Sequence, residues 1–156
     1  MKKALLILAS FALTLSCLAQ TIPASKPVYD AALAKKLGAD DYGMKKYVMA
    51  FLKEGPTQLK DSVANMQLQM AHLKNIGRLA AEGKLVVAGP FLDNQPLRGI
   101  FIFNVETVEE AQKLTETDPA IKAGALVMEL HPFYCSAALM QVVPIHNTLQ
   151  KKSMTN

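Results

Sequence analysis

The chain has 156 residues, 51% of them hydrophobic, with 17 Lys and Arg against 13 Asp and Glu. A formal charge of +4 with no basic run argues against a nucleic-acid partner. Two cysteines, without a CxxC or a Cys/His ligand spacing, argue against a disulfide scaffold and a zinc module.

In chain order, "MKKALLILASFALTLSCLAQ" has two lysines, an apolar run from Ala4 to Leu15, and then small residues. This pattern predicts a secretory signal over residues 1–19, cleaved after Ala19. A lipid anchor at Cys17 is the lesser alternative, because Thr14 stands where the lipoprotein box wants an aliphatic residue. The expected destination is the periplasm or the exterior. With Lys2 and Lys3 removed the charge falls to +2, and Cys135 is left as the single cysteine. The 137 residues that follow the signal suffice for one core. They contain no second hydrophobic span, so no transmembrane segment is expected in the mature chain.

Residues 20–44 read as an N-terminal extension, with an extended start at Pro23 and Pro27 and a short helix, "YDAALAKKLGA", ending at Gly38. The domain proper is expected over 45–139. It opens with the strand "KKYVMAFLK" (45–53), closed by Gly55 and Pro56. From 61 to 82 the period becomes helical, and Val63, Met66, Met70, Leu73, Gly77 and Ala80 form the predicted buried stripe. Gly83 stops that helix. "KLVVAGPFL" (84–92) and "LRGIFIFNV" (97–105) are strands joined by the turn "DNQP". Thr107 and Glu110 make a capping box that opens the helix "VEEAQKLTE". "TDPAIKAG" predicts one further turn, with Asp118 as N-cap, Pro119 at the first helical position and Gly124 at the end. "ALVMELHPFY" (125–134) is the last strand, and the C-terminal tail, 140–156, is expected to be loose.

Strand, helix, strand, strand, helix, strand is the order of a ferredoxin-like α+β sandwich, with both helices on one face of an antiparallel sheet. The strands "LVVAGPFL" and "IFIFNV" are apolar at odd and even positions alike, so the second face also needs a cover. A homodimer paired sheet to sheet supplies it; the lead-in and tail are the monomeric alternative.

At about 100° per residue, His72 lies near 240° from Met66, beside Leu68, Ile76 and Leu79. That predicts a half-buried histidine at the shoulder of the helix. It is either a boundary residue bonded to backbone or a proton-transfer group. Asp118 is a helix cap that can also orient an imidazole, and a His–Asp pair makes a general base held in one tautomer. Glu129 and His131 share one face of the last strand with Ala125, Val127 and Phe133, while Leu126, Met128, Leu130 and Tyr134 form the helix-packed row. Glu129 and His131 therefore line the opposite face, as a structural ion pair or as part of a ligand site. Gly89 and Pro90 are candidates for the wall of a cavity, and Arg98 for contact with an anionic group. His72, His131 and an acid lack a tight metal-ligand spacing, there is no GxSxG elbow, and no glycine loop has phosphate-binding spacing. No metal and no cofactor is expected.

"AHLKNIGRLAAEGKLVVAGPFLDN" followed by "RGIFIFNVETVEEAQKLTETDPAIKAGALVMELHPF" resembles the YCII-related family over roughly residues 45–134. The resemblance implies a ferredoxin-like fold of the dimeric α+β barrel group. It also implies a His–Asp active-site pair, a histidine on the first helix and an aspartate before proline, which match His72 and Asp118. Related barrels include small-molecule isomerases, dehydrochlorinase-like lyases, monooxygenases and haem enzymes. The implied function is a lyase- or isomerase-type enzyme acting on a small molecule; the alternative is a noncatalytic module for a small ligand or a partner protein. The signal, the lead-in and the tail depart from the common family form.

Overall fold

In the computed structural model the described residues are 27–154. The predicted signal with its cleavage site, Cys17 and the first part of the extension lie outside the described residues. Four strands form one sheet: β1 (Met44–Glu54), β2 (Leu85–Pro90), β3 (Leu97–Phe103) and β4 (Leu126–Ser136). Their order is β2-β3-β1-β4, with every neighbour antiparallel. Between and around them run α1 (Ala31–Leu37), α2 (Ser62–Ala81), α3 (Val108–Thr115), α4 (Pro119–Lys122), a 3₁₀ turn (Ala137–Gln141) and α5 (Val142–Leu149). This is the ferredoxin-like α+β architecture, and the sequence-derived element bounds lie within a residue or two of the observed ones.

Local chemistry explains most of the boundaries. The Asp61 carboxylate accepts from the backbone N–H groups of Val63 (2.7 Å) and Ala64 (3.0 Å), which starts α2. Thr107 and Glu110 form the reciprocal capping box of α3. Gly124 follows α4 with φ of +70°, a conformation that favours glycine. Gly99 is required for a different reason: a Cβ there would sit 2.5 Å from the carbonyl oxygen of Gly89, so only glycine lets β2 and β3 approach.

The main core lies between the sheet and the helices. Val48, Ala50 and Leu52 from β1, Phe101 and Phe103 from β3, and Leu85 from β2 pack with Leu79 of α2 and Ala111 of α3. Leu126, Met128 and Leu130 of β4 join them from the edge. Each large side chain so buried contributes about 1.5–3 kcal/mol.

The structure corrects the predicted face of α2. Its buried residues are His72, Asn75 and Leu79, whereas Val63 and Met66 are 56% and 62% exposed. Apolar periodicity scored His72 and Asn75 as polar and so favoured the methionine side. Buried polar groups are tolerated when they are bonded, and here Asp118 receives both side chains. His72 is thus at the centre of the inward face, not at its shoulder.

Two further expectations give way. Within the described residues the tail is not loose: its "VVPIHNTL" forms α5, with Pro144 in the first turn, where a missing N–H is tolerated. Leu139 and Met140 of the 3₁₀ turn pack on the far face of the sheet, against Tyr47, Val86 and Ile102. The tail therefore supplies part of the cover that the strand patterns had pointed to in a second subunit. Tyr134 also leaves its expected place in the core: it is 53% exposed, and its hydroxyl donates to Asp40. The helix-packed row of β4 ends at Leu130, and beyond it Tyr134 reaches the loop that leads into β1.

Asp40 also accepts from the N–H groups of Tyr42 and Met44, each at 2.9 Å. The Tyr134 hydroxyl, and then these amides, hold its carboxyl below the usual range, and the same contact pushes the Tyr134 phenol up. A lowered folded-state carboxyl stabilises fully above its unfolded value and loses that contribution as pH falls through the folded value. In Tyr134→Phe, the deficit in urea midpoint relative to wild type should be present at neutral pH and close as acid protonates Asp40. The facing of α2 has its own check. Leu79→Ala should cost about 2–5 kcal/mol in urea unfolding, while Met66→Ala should stay within about 0.5 kcal/mol; the reverse ranking would restore the methionine stripe.

Candidate active site

His72 and Asn75 sit three residues apart on α2, the spacing that puts two side chains on one helix face. Asp118 precedes Pro119 with an extended backbone, φ −79° and ψ 124°, and one of its oxygens caps α4 by accepting from Ala120 N–H at 2.8 Å. Capping uses only Oδ1. Oδ2 is left pointing at α2, where it accepts from His72 Nδ1 at 2.8 Å and, at a longer 3.5 Å, from Asn75 Nδ2. His72 is 6% exposed and Asp118 fully buried. One carboxylate therefore serves both as a cap and as an imidazole partner.

The imidazole is fixed on a second side. Its ring stacks on Phe101 of β3, with centroids 5.9 Å apart and planes 14° from parallel, and Phe103 meets Phe101 edge-on at 5.8 Å. The side chains hold the ring in plane and in azimuth. Because the carboxylate acts as an acceptor, Nδ1 carries a proton, and in the neutral imidazole Nε2 then bears the lone pair. Nε2 has no protein partner, yet among the described residues no fully buried side-chain nitrogen or oxygen is left unsatisfied. It follows that Nε2 retains accessible surface. The arrangement is a buried, oriented imidazole with one open basic nitrogen.

Around the pair lies a polar network that sequence inspection did not single out. Asn75 Oδ1 accepts from Arg78 Nη2 at 2.8 Å; the Thr117 hydroxyl is 3.2 Å from the same oxygen but gives its one proton to the Leu114 carbonyl at 2.7 Å. Arg78 Nη2 also donates to Thr117 Oγ1 at 3.0 Å, and Arg78 Nη1 meets both carboxylate oxygens of Glu82. The spacing His72, Asn75, Arg78 repeats every three residues, and Thr117 adjoins Asp118, so a search for polar residues in phase with His72 would have found them. Phe101 left no such mark, being one apolar residue in an apolar strand.

The remaining candidates are not gathered at this pair. Glu129 and His131 stand on the far face of the sheet, as predicted from strand alternation. There, Glu129 accepts from His131 Nε2 at 2.8 Å and from Lys53, and all three side chains are about half exposed. Lys53 first, and then His131, hold the Glu129 carboxyl below the usual range. His131 also meets Phe51 edge-on at 5.5 Å. Arg98 is exposed and bonded within its own turn, to Asn94 Oδ1 at 3.2 Å and to the Gln95 carbonyl at 3.4 Å. Gly89 and Pro90 end β2, where their backbone crowds Gly99. Among the described residues, no group of three His, Cys, Asp or Glu side chains is placed to hold a metal ion, and no helix is long and apolar enough to cross a membrane. A surface cleft of about 430 Å³ is lined by Lys45, Lys46, Lys84, Asn104 and Thr107 among others, and one of about 350 Å³ by Met66, Gln67, Met70, Ala71 and Lys74.

No curated protein matches the chain in sequence. Among solved structures it is similar to 5-chloro-2-hydroxyhydroquinone dehydrochlorinase from Burkholderia phenoliruptrix AC1100, in complex with 2,5-dihydroxybenzoquinone. The identity is 23% and the TM-score 0.43, over 57% of this chain and 93% of that one. The YCII-related domain matches residues 44–133, from the first residue of β1 into β4 and across both His72 and Asp118. With that match over more than half its length, the chain belongs to the YCII-related family.

Proposed function

We propose that the protein is an acid/base enzyme of lyase or isomerase type, acting on a small cyclic or aromatic molecule whose reaction begins with loss of a proton. The observation that carries this reading is the buried His72–Asp118 hydrogen bond, 2.8 Å long, which leaves Nε2 as the open nitrogen. In the proposed cycle, Nε2 takes a proton from an acidic C–H or O–H of the substrate. The imidazolium so formed is stabilised by Asp118 through Nδ1–H. The electron pair left on the substrate then expels a leaving group, or moves so that the substrate is reprotonated at another atom. The imidazolium returns its proton to complete the cycle. Asp118 touches only the imidazole and is a positioning residue.

The same proposal takes the mature protein to the periplasm or beyond, after loss of residues 1–19. It pairs two copies over the part of the far face that the tail leaves open, where Phe51, Ile100 and Val127 stand. A noncatalytic binding module is the second reading, and the position of open space favours it: neither cleft counts His72 or Asp118 among its lining residues.

Asp118→Asn separates the readings. The asparagine can keep its Oδ1 on Ala120 N–H, but its amide then donates to Nδ1. Nδ1 must become the acceptor, and the imidazole proton moves to Nε2. Long-range ¹H–¹⁵N NMR of His72 should show a bare Nε2 in the wild type and a protonated one in the variant. Turnover is followed as solvent deuterium entering a panel of small cyclic and aromatic carbonyl compounds. It should fall by about 10²–10⁴ in His72→Ala and comparably in Asp118→Asn. Ligand affinity held in His72→Ala, with no exchange catalysed by the wild type, would leave the binding module standing instead.

A further inference from the structure

Asn75 is a buried amide, 8% exposed, one turn along α2 from His72. A primary amide has two different ends, and which end faces Asp118 decides whether it attracts or repels the carboxylate. The choice is made by Arg78. A guanidinium donates and never accepts, so the group 2.8 Å from Arg78 Nη2 must be the Asn75 oxygen. The Thr117 hydroxyl lies 3.2 Å from that same oxygen. The NH₂ end is thereby turned toward Asp118 Oδ2, 3.5 Å away. Turned the other way, the amide would set oxygen against carboxylate and NH₂ against guanidinium, two repulsions in one step.

Arg78 is itself held at the surface. Its side chain is 45% exposed, and its other nitrogen meets Glu82 one turn further along at 2.9 and 3.0 Å. A chain of defined polarity thus runs inward from Glu82 through Arg78 and Asn75 to Asp118 and His72. Each member fixes the orientation of the next.

We infer that Asn75, oriented by Arg78, is a further positioning residue of the site: it keeps Asp118 Oδ2 trained on His72 Nδ1 and so keeps Nε2 bare. This rests on the proposed acid/base role for its catalytic meaning, and on the geometry alone for its effect on the histidine. At 3.5 Å the Asn75–Asp118 contact is weak as a bond. Its consequence lies in its sign, since the position can attract or repel the carboxylate.

Asn75→Asp is the discriminating variant. It keeps the shape of the side chain and strengthens its pairing with Arg78, so a residue that merely ties α2 to the Thr117 turn would function as before. A positioning amide would not, because the donor aimed at Asp118 is replaced by a second carboxylate oxygen. Long-range ¹H–¹⁵N NMR of His72 at about pH 8, above the range where free imidazole titrates, should show Nε2 displaced from its bare-nitrogen position. Deuterium exchange should fall about ten- to a hundredfold, the order expected when the group facing a buried carboxylate changes from a donor to an unsatisfied acceptor. Arg78→Ala frees the amide to turn, and should broaden or shift the same resonance; being at the surface, it carries the test if Asn75→Asp does not fold. An unchanged His72 spectrum in folded Asn75→Asp or, failing that, in Arg78→Ala overturns the inference, even if the wild type is an active enzyme. A shifted spectrum in a protein that catalyses no exchange upholds it, and removes the enzymatic reading alone.

Discussion

The buried carboxylate of Asp118 is the constraint around which this fold is arranged. A carboxylate removed from water is tolerated only when its lone pairs are used, and Asp118 has a donor from each of three sources: the first turn of α4, the imidazole of His72 and the amide of Asn75. Those partners come from segments more than forty residues apart in the chain, so satisfying one side chain ties α2 to α4. The rotation of α2 about its own axis follows. With His72 and Asn75 turned inward, Leu79 is carried into the core on the same face and Met66 is carried out. A purely apolar contact would tolerate small rotations; a hydrogen-bonded one at 2.8 Å does so much less.

The two faces of the sheet are closed by unlike means. On one, α2 and α3 cover a core built from alternate residues of β1, β3 and β4. On the other, the 3₁₀ turn covers only one end, around Tyr47, Val86 and Ile102. Phe51, Ile100 and the Lys53–Glu129–His131 cluster are left at the other. On a helix-covered face a buried polar group is tolerated when it is bonded, and His72 is held there through Nδ1 by Asp118. A half-open face can leave its histidine in contact with water.

Much of this was legible in the sequence because its local signals agreed with one another. Thr107 with Glu110, Asp118 before Pro119, and Gly124 each name a helix end through chemistry that needs no tertiary partner. The strand alternation of β4 correctly separated Leu126, Met128 and Leu130 from Glu129 and His131. What was not legible depended on partners distant in sequence. The face of α2 was misread because hydrophobic periodicity cannot know that Asp118, 46 residues on, receives His72. The tail was misread because Pro144 signals a break unless it falls in a first turn, and the start of α5 was not visible. The amide of Asn75 carried no signal by itself; its meaning lies in what Arg78 does to it.

Among the described residues two histidine–carboxylate contacts have equal length, 2.8 Å, and they are not equivalent. Glu129 is shared between the Lys53 ammonium and the His131 imidazole, so it has two partners. All three groups stand about half in water, where a Coulombic interaction is heavily screened. His131 bonds through Nε2 and is free to exchange that partner for solvent. His72 bonds through Nδ1 to a carboxylate with no cation in contact; both side chains are almost wholly buried, and the imidazole stacks on Phe101. Residue types and distance are the same in both places. Burial, and the absence of a rival cation at the carboxylate, set the pair in the core apart.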